Sequence, residues 1–523
     1  MCPLPPEINT NPRPQQIVAS VRTAYNTGIT HSLKWREQQL RQLYKLLDEN
    51  QEDICEANWR DMKKAPGETW LIDVLPIKNE IAHALEYLEE WNRPEVVGPG
   101  PLAPFARAEI HRKPLGVALI IGIWNYPWCL IVGPLLAAIA GGNAVVLKPP
   151  EMVPNCAAVF TSLVHKYLDT RVIQVVNGAI PETTELLKER FDHITYTGNN
   201  TVAKIVHKAA NKHLTPVLLE LGGKSPVIID ENVDITNVAN RLMWAKSLNS
   251  GQTCIAPDYI LIPSKLVDPF VEACGKALKR FYGERTRDSP LFPRLISDRH
   301  FERMVDLLDK QVKVPGSKIA FGGEKDREDR FVEPTLITGV GKNPETNPIM
   351  NEEIFGPLLP IVEVNSIDES IAYINSGEKP LALYVFTKDK KVARKVLRET
   401  DSGNAVVNDL FSNMGAPDLP FGGVGNSGMG KYHGHHGFLE YTHARSTLIA
   451  PHGMEFVSAQ RYLPSALTNR MWLATLAVES KVKSPLVITI LSTLRRIVGK
   501  QGLLRLVVAI VIGFVAGWFG ARR

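Results

Sequence analysis

The spacing of apolar positions changes along the chain. Over residues 14–62, and again over 74–92, apolar side chains recur every three or four positions, which predicts helices. A Pro/Gly-rich link follows at 97–104. From Pro114 the texture becomes short apolar runs bounded by Gly, Pro and Asn: 115–123, 143–149, 172–178, 193–198 and 216–223. Helix-like segments lie between them at 131–140 and 201–211. Such alternation predicts parallel strands with helices on both faces. The pattern then repeats. A run at 226–230 precedes a helix over 236–248; a run at 258–262 and a helix over 267–281 come next; the runs 381–387 and 404–408 flank a helix over 389–399. A second α/β domain is therefore expected between about 222 and 415. KDREDR at 325–330 reads as a solvated loop.

The C-terminus differs in kind. From Leu506 to Ala521 there is no charge and no strongly polar residue. As a helix this run spans about 24 Å at 1.5 Å per residue, slightly short of a hydrocarbon core of about 30 Å. Leu503 and Leu504 extend it, and Arg505 can snorkel to a headgroup. Upstream, Val487, Ile490, Leu491, Leu494, Ile497 and Val498 recur at helical spacing with Arg495 and Arg496 between them, as in a helix lying on a membrane surface. A membrane-anchoring tail over 485–523 is expected; a buried core helix or a dimer contact is the alternative.

Composition narrows the class. Of 523 residues, 44% are hydrophobic and 22% charged, which is globular and long enough for two or three domains. A net charge of +5 without basic and aromatic interleaving gives no reason to expect nucleic acid. The six cysteines (Cys2, Cys55, Cys129, Cys156, Cys254 and Cys274) show no CxxC pair and no metal-ligand spacing, so a reducing compartment and no metal are expected. The N-terminal stretch has no apolar h-region, and no secretory signal is expected.

Four segments carry candidate chemistry. In NSGQTC (249–254), Cys254 follows a Gly-containing turn near a helix end; a thiolate there would attack a carbonyl, although a lone cysteine is far more often a small buried hydrophobe. In LELGGKSP (219–226), Glu220 stands at a strand end as a general base or as a turn carboxylate. In IWNYPW (123–128), Asn125 follows a buried strand and can aim its amide at an oxyanion, or simply make a turn. NEEIFGP (351–357) is an acidic loop with Glu353 and Phe355 placed to grip a ligand.

In order, spacing and flanking residues these segments resemble the aldehyde dehydrogenase superfamily over about residues 15–445. PFGGVGNSGMGKYHG (420–434) is similar to the class 3 and fatty aldehyde dehydrogenase branch, in which a C-terminal hydrophobic anchor also occurs. The resemblance implies two Rossmann-like parallel-sheet domains. The NAD(P)-binding domain would span 1–221, with 97–113 and 415–445 in a bridging or oligomerisation element. A catalytic domain at 222–415 and a linking or gating region at 446–484 would precede the anchor. It implies Cys254 as nucleophile, Glu220 as general base, and Asn125 with the Cys254 backbone N–H as oxyanion donors. Lys148 and Glu151 match the pair holding the adenine ribose. Gly198 and Asn199 match the cofactor loop, Glu353 and Phe355 the nicotinamide-ribose contacts, and Trp124 and Leu221 positions beside the cofactor.

The chain departs from the family loop at Ala203, where a second glycine is usual, and at Asn199 and Asn200, where Ser or Thr is. Glu151 would bond a 2′-hydroxyl and repel a 2′-phosphate, favouring NAD, with NADP open. Tyr126, Trp128 and Phe411 are placed to line an apolar substrate tunnel, and His433, His435 and His436 read as surface or structural rather than metal-binding. The expected activity is oxidation of long apolar aldehydes, fatty or alternatively apocarotenoid, by a homodimer anchored to an intracellular membrane and facing the cytosol. A coenzyme A-acylating enzyme, which would not need Glu220, and an inactive membrane scaffold are the rival readings.

Overall fold

A computed structural model describes residues 13–453 apart from 101, 102 and 104, together with a few later positions. The expected membrane tail at 485–523 lies outside the described residues, as does the region from 463 to 484. Among the described residues no helix is long and apolar enough to cross a membrane.

The stretch 14–62 is broken into Pro14–Asn26, Leu33–Asp48 and Gln51–Met62, with a short 3₁₀ turn at Ile29–His31. Ser32 causes one of the breaks: its side chain caps the second helix by accepting from the Trp35 amide. A helical turn of π type at Thr69–Val74 leads into Leu75–Asn92.

The apolar runs form a six-stranded sheet, in spatial order Gly428–Met429, Val217–Glu220, His193–Thr197, Val117–Ile121, Ala144–Lys148 and Ile173–Val175. All neighbours are parallel except the two-residue edge strand, which pairs Gly428 with Glu220. The strands Val117–Ile121, Ala144–Lys148 and His193–Thr197 are buried at every position, because helices cover both faces. The helix Cys129–Gly141 is apolar all round and buried along its whole length. Chain order reverses on either side of Val117–Ile121, so the crevice beyond its carboxyl end is a topological switch point, where such sheets bind ligands.

A seven-stranded sheet follows, in the order Lys318–Phe321, Thr335–Thr338, Leu358–Val364, Tyr259–Pro263, Pro226–Ile229, Ala382–Phe386 and Asn404–Val407. Thr335–Thr338 and Leu358–Val364 were not expected. Pro360 inside the second run removes a ladder donor and argues against a central strand, yet it pairs in register with Ile337. The helices Pro154–Tyr167, Asp298–Gln311 and Ile367–Asn375 were also not anticipated. The described residues among 92–112 and from 444 onward make a separate unit, which includes Glu95–Val97 and most of Arg107–Pro114 and Thr442–Ile449, the three strands of one sheet.

Candidate active site

The carboxyl edge of the first sheet gathers several of the expected residues. After Val117–Ile121 the chain turns through Trp124 and Asn125, and Asn125 is buried. Its amide nitrogen donates one hydrogen to the Gln252 carbonyl at 3.1 Å, which leaves the second for another acceptor. Its Oδ1 has no partner among the described residues. Lys148 ends Ala144–Lys148 with its Nζ 2.8 Å from the Pro149 carbonyl and 2.9 Å from Glu151, whose carboxylate is half exposed. Gly198 follows His193–Thr197 and donates its N–H to the Glu220 carbonyl at 2.9 Å. Asn199 caps the helix Asn200–Asn211, accepting from the Val202 amide at 3.0 Å. Ala203 is buried on that helix.

Glu220 closes Val217–Glu220. It is buried, and neither carboxyl oxygen has a hydrogen-bond partner among the described residues. Burial first, and Glu440 second, push its pKa well above the carboxylate range. A buried acid without a hydrogen-bond partner is costly, and an acid so perturbed is a candidate for chemistry.

Cys254 is carried by the chain that leads into the second sheet. Helix Ile235–Ser247 gives way to Leu248–Gly251, where Asn249, Ser250 and Gly251 take φ of 51°, 55° and 72°. Three successive left-handed residues are unfavourable, and persist only where surroundings fix them. Here they are fixed. The Asn249 N–H donates to Glu68 at 2.7 Å, and its side-chain amide donates to the carbonyls of Asn125 at 2.9 Å and Gln252 at 3.0 Å. The Gln252 side chain bonds Asn249, Arg294 and Ile296 main-chain atoms. Only glycine fits at 251, because a Cβ there would overlap the Gly356 carbonyl. Thr253 shares a 2.8 Å hydrogen bond with the Tyr126 hydroxyl. Cys254 follows, half-buried, with its pKa pushed up to about 12 by burial and then by Glu353 and Glu220; the backbone N–H groups of Cys254 and Ile255 pull the other way.

Glu353 lies over Gly222, where any side chain would overlap its carboxylate. Burial, then Asp258, raises its pKa to about 8. Three residues that were not singled out in the sequence fasten this loop. Lys224 pairs with Asp258 and donates to the carbonyls of Ile349 at 2.9 Å and Glu352 at 3.0 Å. Asp258 accepts from the Ile354 amide at 2.8 Å. Arg303 holds Glu352 and the main chain at Glu353 and Ile354. Lys224 was visible as the one charge in GGKSP; Asp258 and Arg303 sit in no motif. The Phe355 ring meets Trp124 edge-on at 5.6 Å. Leu221 is buried and its N–H donates to the Ser427 carbonyl at 3.1 Å.

A cavity of about 650 Å³ opens onto Cys254. Tyr126 and Phe411 line it, with Leu71, Ile72, Trp244 and Met414 among the rest of its wall. Trp128 does not. Its ring is 1% exposed and packs edge-on against Phe160 in the core, because the helix that starts at Cys129 turns it away from the cavity. Of the histidines expected to be surface or structural, His433 is buried 3.3 Å from Glu80 and His435 stacks on Trp91. Both serve packing.

The family model described as "Aldehyde dehydrogenase family" matches residues 10–447. The "Aldehyde dehydrogenase, dimeric NADP-preferring" of Canis lupus familiaris is 44% identical over 450 residues, covering 86% of this chain and 97% of that relative. "Aldehyde dehydrogenase family 3 member A2" of Pongo abelii is 46% identical over 455 residues, covering 87% and 92%. The solved structure titled "Substrate bound state of Staphylococcus Aureus AldH" superposes with a TM-score of 0.80 at 36% identity, covering 86% of this chain and 99% of that one.

Proposed function

Because the chain belongs to the aldehyde dehydrogenase family, we propose that it oxidises long apolar aldehydes to carboxylates through a thioester on Cys254, using NAD(P). One observation carries the reading. Glu220 and Glu353 both lie near enough to Cys254 to raise its pKa, while Asn125 is tied to Gln252, two residues before it.

The residues suit a nicotinamide dinucleotide. The switch-point crevice is edged by Trp124, Lys148 and Gly198, and neither Glu220 oxygen has a hydrogen-bond partner among the described residues. Lys148 and Glu151 would hold the adenine ribose, and Glu353, Phe355, Trp124 and Leu221 the nicotinamide end. Glu151 shares its charge with Lys148, which tempers repulsion of a 2′-phosphate, and a relative is named NADP-preferring. The bound cofactor supplies a hydride acceptor.

The chain does the rest. The Cys254 thiol gives its proton to solvent as its sulfur adds to the aldehyde carbon, and Asn125 with the Cys254 N–H holds the oxygen that becomes negative. The carbon–hydrogen bond breaks with its electron pair, the carbonyl re-forms, and a thioester remains on Cys254. Glu220 takes a proton from water, the hydroxide displaces the sulfur, and the acid leaves. At rest burial keeps a proton on the thiol, so the nucleophile is stored unreactive.

An apolar cavity of about 650 Å³ supports a long hydrocarbon chain. The similarity of 420–434 to the fatty aldehyde dehydrogenase branch and the apolar run at 506–521 support a fatty aldehyde met at a bilayer, with the catalytic domains on the cytosolic face of an intracellular membrane. The name "dimeric" of a relative supports a homodimer. On this reading 1–221 forms the cofactor domain, 222–415 the catalytic domain and 446–484 the link to the anchor. The test is turnover of saturated aldehydes of about six to eighteen carbons beside retinal-like polyenes, with and without coenzyme A. The account expects free acid and rising kcat/KM with chain length. Preference for short polar aldehydes, or an acyl-coenzyme A product, would refute it.

A further inference from the structure

One segment of the chain reaches the loops that carry Asn125 and Cys254. Lys64, fully buried, donates from Nζ to the Asn125 carbonyl at 2.8 Å and lies 4.2 Å from the Tyr126 ring centre. Glu68 accepts the Asn249 N–H at 2.7 Å, at the first of the three left-handed residues before Cys254. Asp73 accepts the Cys129 N–H at 2.7 Å, at the start of the helix that follows Trp128. The π-type turn Thr69–Val74, a rare geometry that tends to mark functional places, follows Glu68 and contains Asp73.

We propose that Lys64 and Glu68 are positioning residues of the reaction, fixing the oxyanion-binding Asn125 and the Cys254 turn relative to each other through main-chain atoms. This rests on the aldehyde-oxidising reading of the site. The physical case is the cost of what they hold. A left-handed Asn–Ser–Gly run relaxes unless its N–H groups are claimed. The Asn125 carbonyl is shared by Lys64 and Asn249, so one oxygen couples the two loops. The charges answer each other locally. Desolvation pushes the Glu68 pKa up to about 7, and Lys64 opposes that rise. Neither side chain touches the reacting atoms, so each acts only through the loop it braces.

The test compares Glu68→Gln, which keeps an acceptor at the same reach, with Glu68→Asp, which keeps the charge but withdraws the oxygen. Lys64→Met removes the ammonium at nearly constant shape. Misplacing a catalytic group by about 1 Å costs on the order of 100-fold. Glu68→Asp and Lys64→Met should therefore lose about tenfold or more in kcat, with KM moved less than about threefold, while Glu68→Gln stays within about threefold of wild type. The rate of Cys254 alkylation by iodoacetamide, which needs no turnover, should fall in the same order. A role in folding alone would lower Tm and leave kcat and alkylation of the folded protein unchanged. That result, or Glu68→Gln as impaired as Glu68→Asp, overturns the proposal. Should Lys64→Met not fold, the Glu68 pair decides. Wild-type protein that oxidises no aldehyde would overturn the reading of the site instead, and the alkylation series would still judge the brace.

Discussion

The two parallel sheets share an architecture and use opposite edges. The first presents its carboxyl ends: Asn125, Lys148, Gly198 and Glu220 all follow or end its strands. The second presents its amino ends: Cys254 precedes Tyr259–Pro263, the Glu353 loop precedes Leu358–Val364, and Gly222 to Ser225 precede Pro226–Ile229. The second sheet has a carboxyl-edge crevice too, a cavity of about 360 Å³ that includes Asp234, Arg241, Thr387, Asp389 and Asn408. Its polar groups are spent on one another. Asp234 caps Ile235–Ser247 and Asp389 caps Lys390–Glu399. Thr387 donates to Asp230 at 2.6 Å, and Asn408 bonds the Thr387 main chain twice at 2.8 Å. At the first sheet both Glu220 oxygens and Asn125 Oδ1 have no such partner among the described residues. A crevice becomes a site where its buried polar groups are left wanting, and a helix start ceases to be one when its own acid fills it.

The comparison can be broken by substitution. Glu220→Gln should reduce steady-state kcat by about 10²–10⁴-fold, the range for removing general base catalysis, and should slow hydrolysis more than the burst of reduced cofactor. A burst lost together with turnover would place Glu220 elsewhere in the mechanism. Asn125→Ala should cost about 10²–10³ in kcat, as expected for one oxyanion donor; a change confined to KM would contradict that role.

The pH dependence sharpens the second sheet's contribution. With the Cys254 pKa raised to about 12 and no cofactor added, the thiolate fraction grows with pH throughout the neutral range. Iodoacetamide alkylation of Cys254 should thus rise about tenfold per unit between about pH 7 and pH 9. A plateau near neutrality would show a thiolate already formed. The smallest effect belongs at the second sheet's carboxyl edge: Asp389→Ala should cost about 1 kcal/mol of stability for a lost cap and leave kcat unchanged. A loss of activity there would mean that edge is functional after all.

Much of this was legible in the chain. The apolar runs at 115–123, 143–149 and 193–198 predicted strands because both faces are buried, so the signal is a solid block rather than an alternation. NSGQTC and LELGGKSP stood out for Cys254 and Glu220, and the structure adds that their glycines serve close approaches: Gly251 against Gly356, and Gly222 against Glu353. What stayed hidden was long-range. Lys64 and Glu68 lie in a charged stretch with no motif, and act on residues 61 and 181 positions away. Trp128 was misplaced because nearness in sequence to Asn125 says nothing about which way the next helix turns. The strand Leu358–Val364 was masked by Pro360.

The most direct test of the central claim is to quench Glu220→Gln protein during turnover of a long-chain aldehyde with NAD(P) and to weigh the cysteine-containing peptides. The account predicts an acyl group on the peptide bearing Cys254, approaching one per chain, and none on Cys129, which lines the same cavity. An acyl group on Cys129, or aldehyde consumed with no cysteine modified, would contradict it.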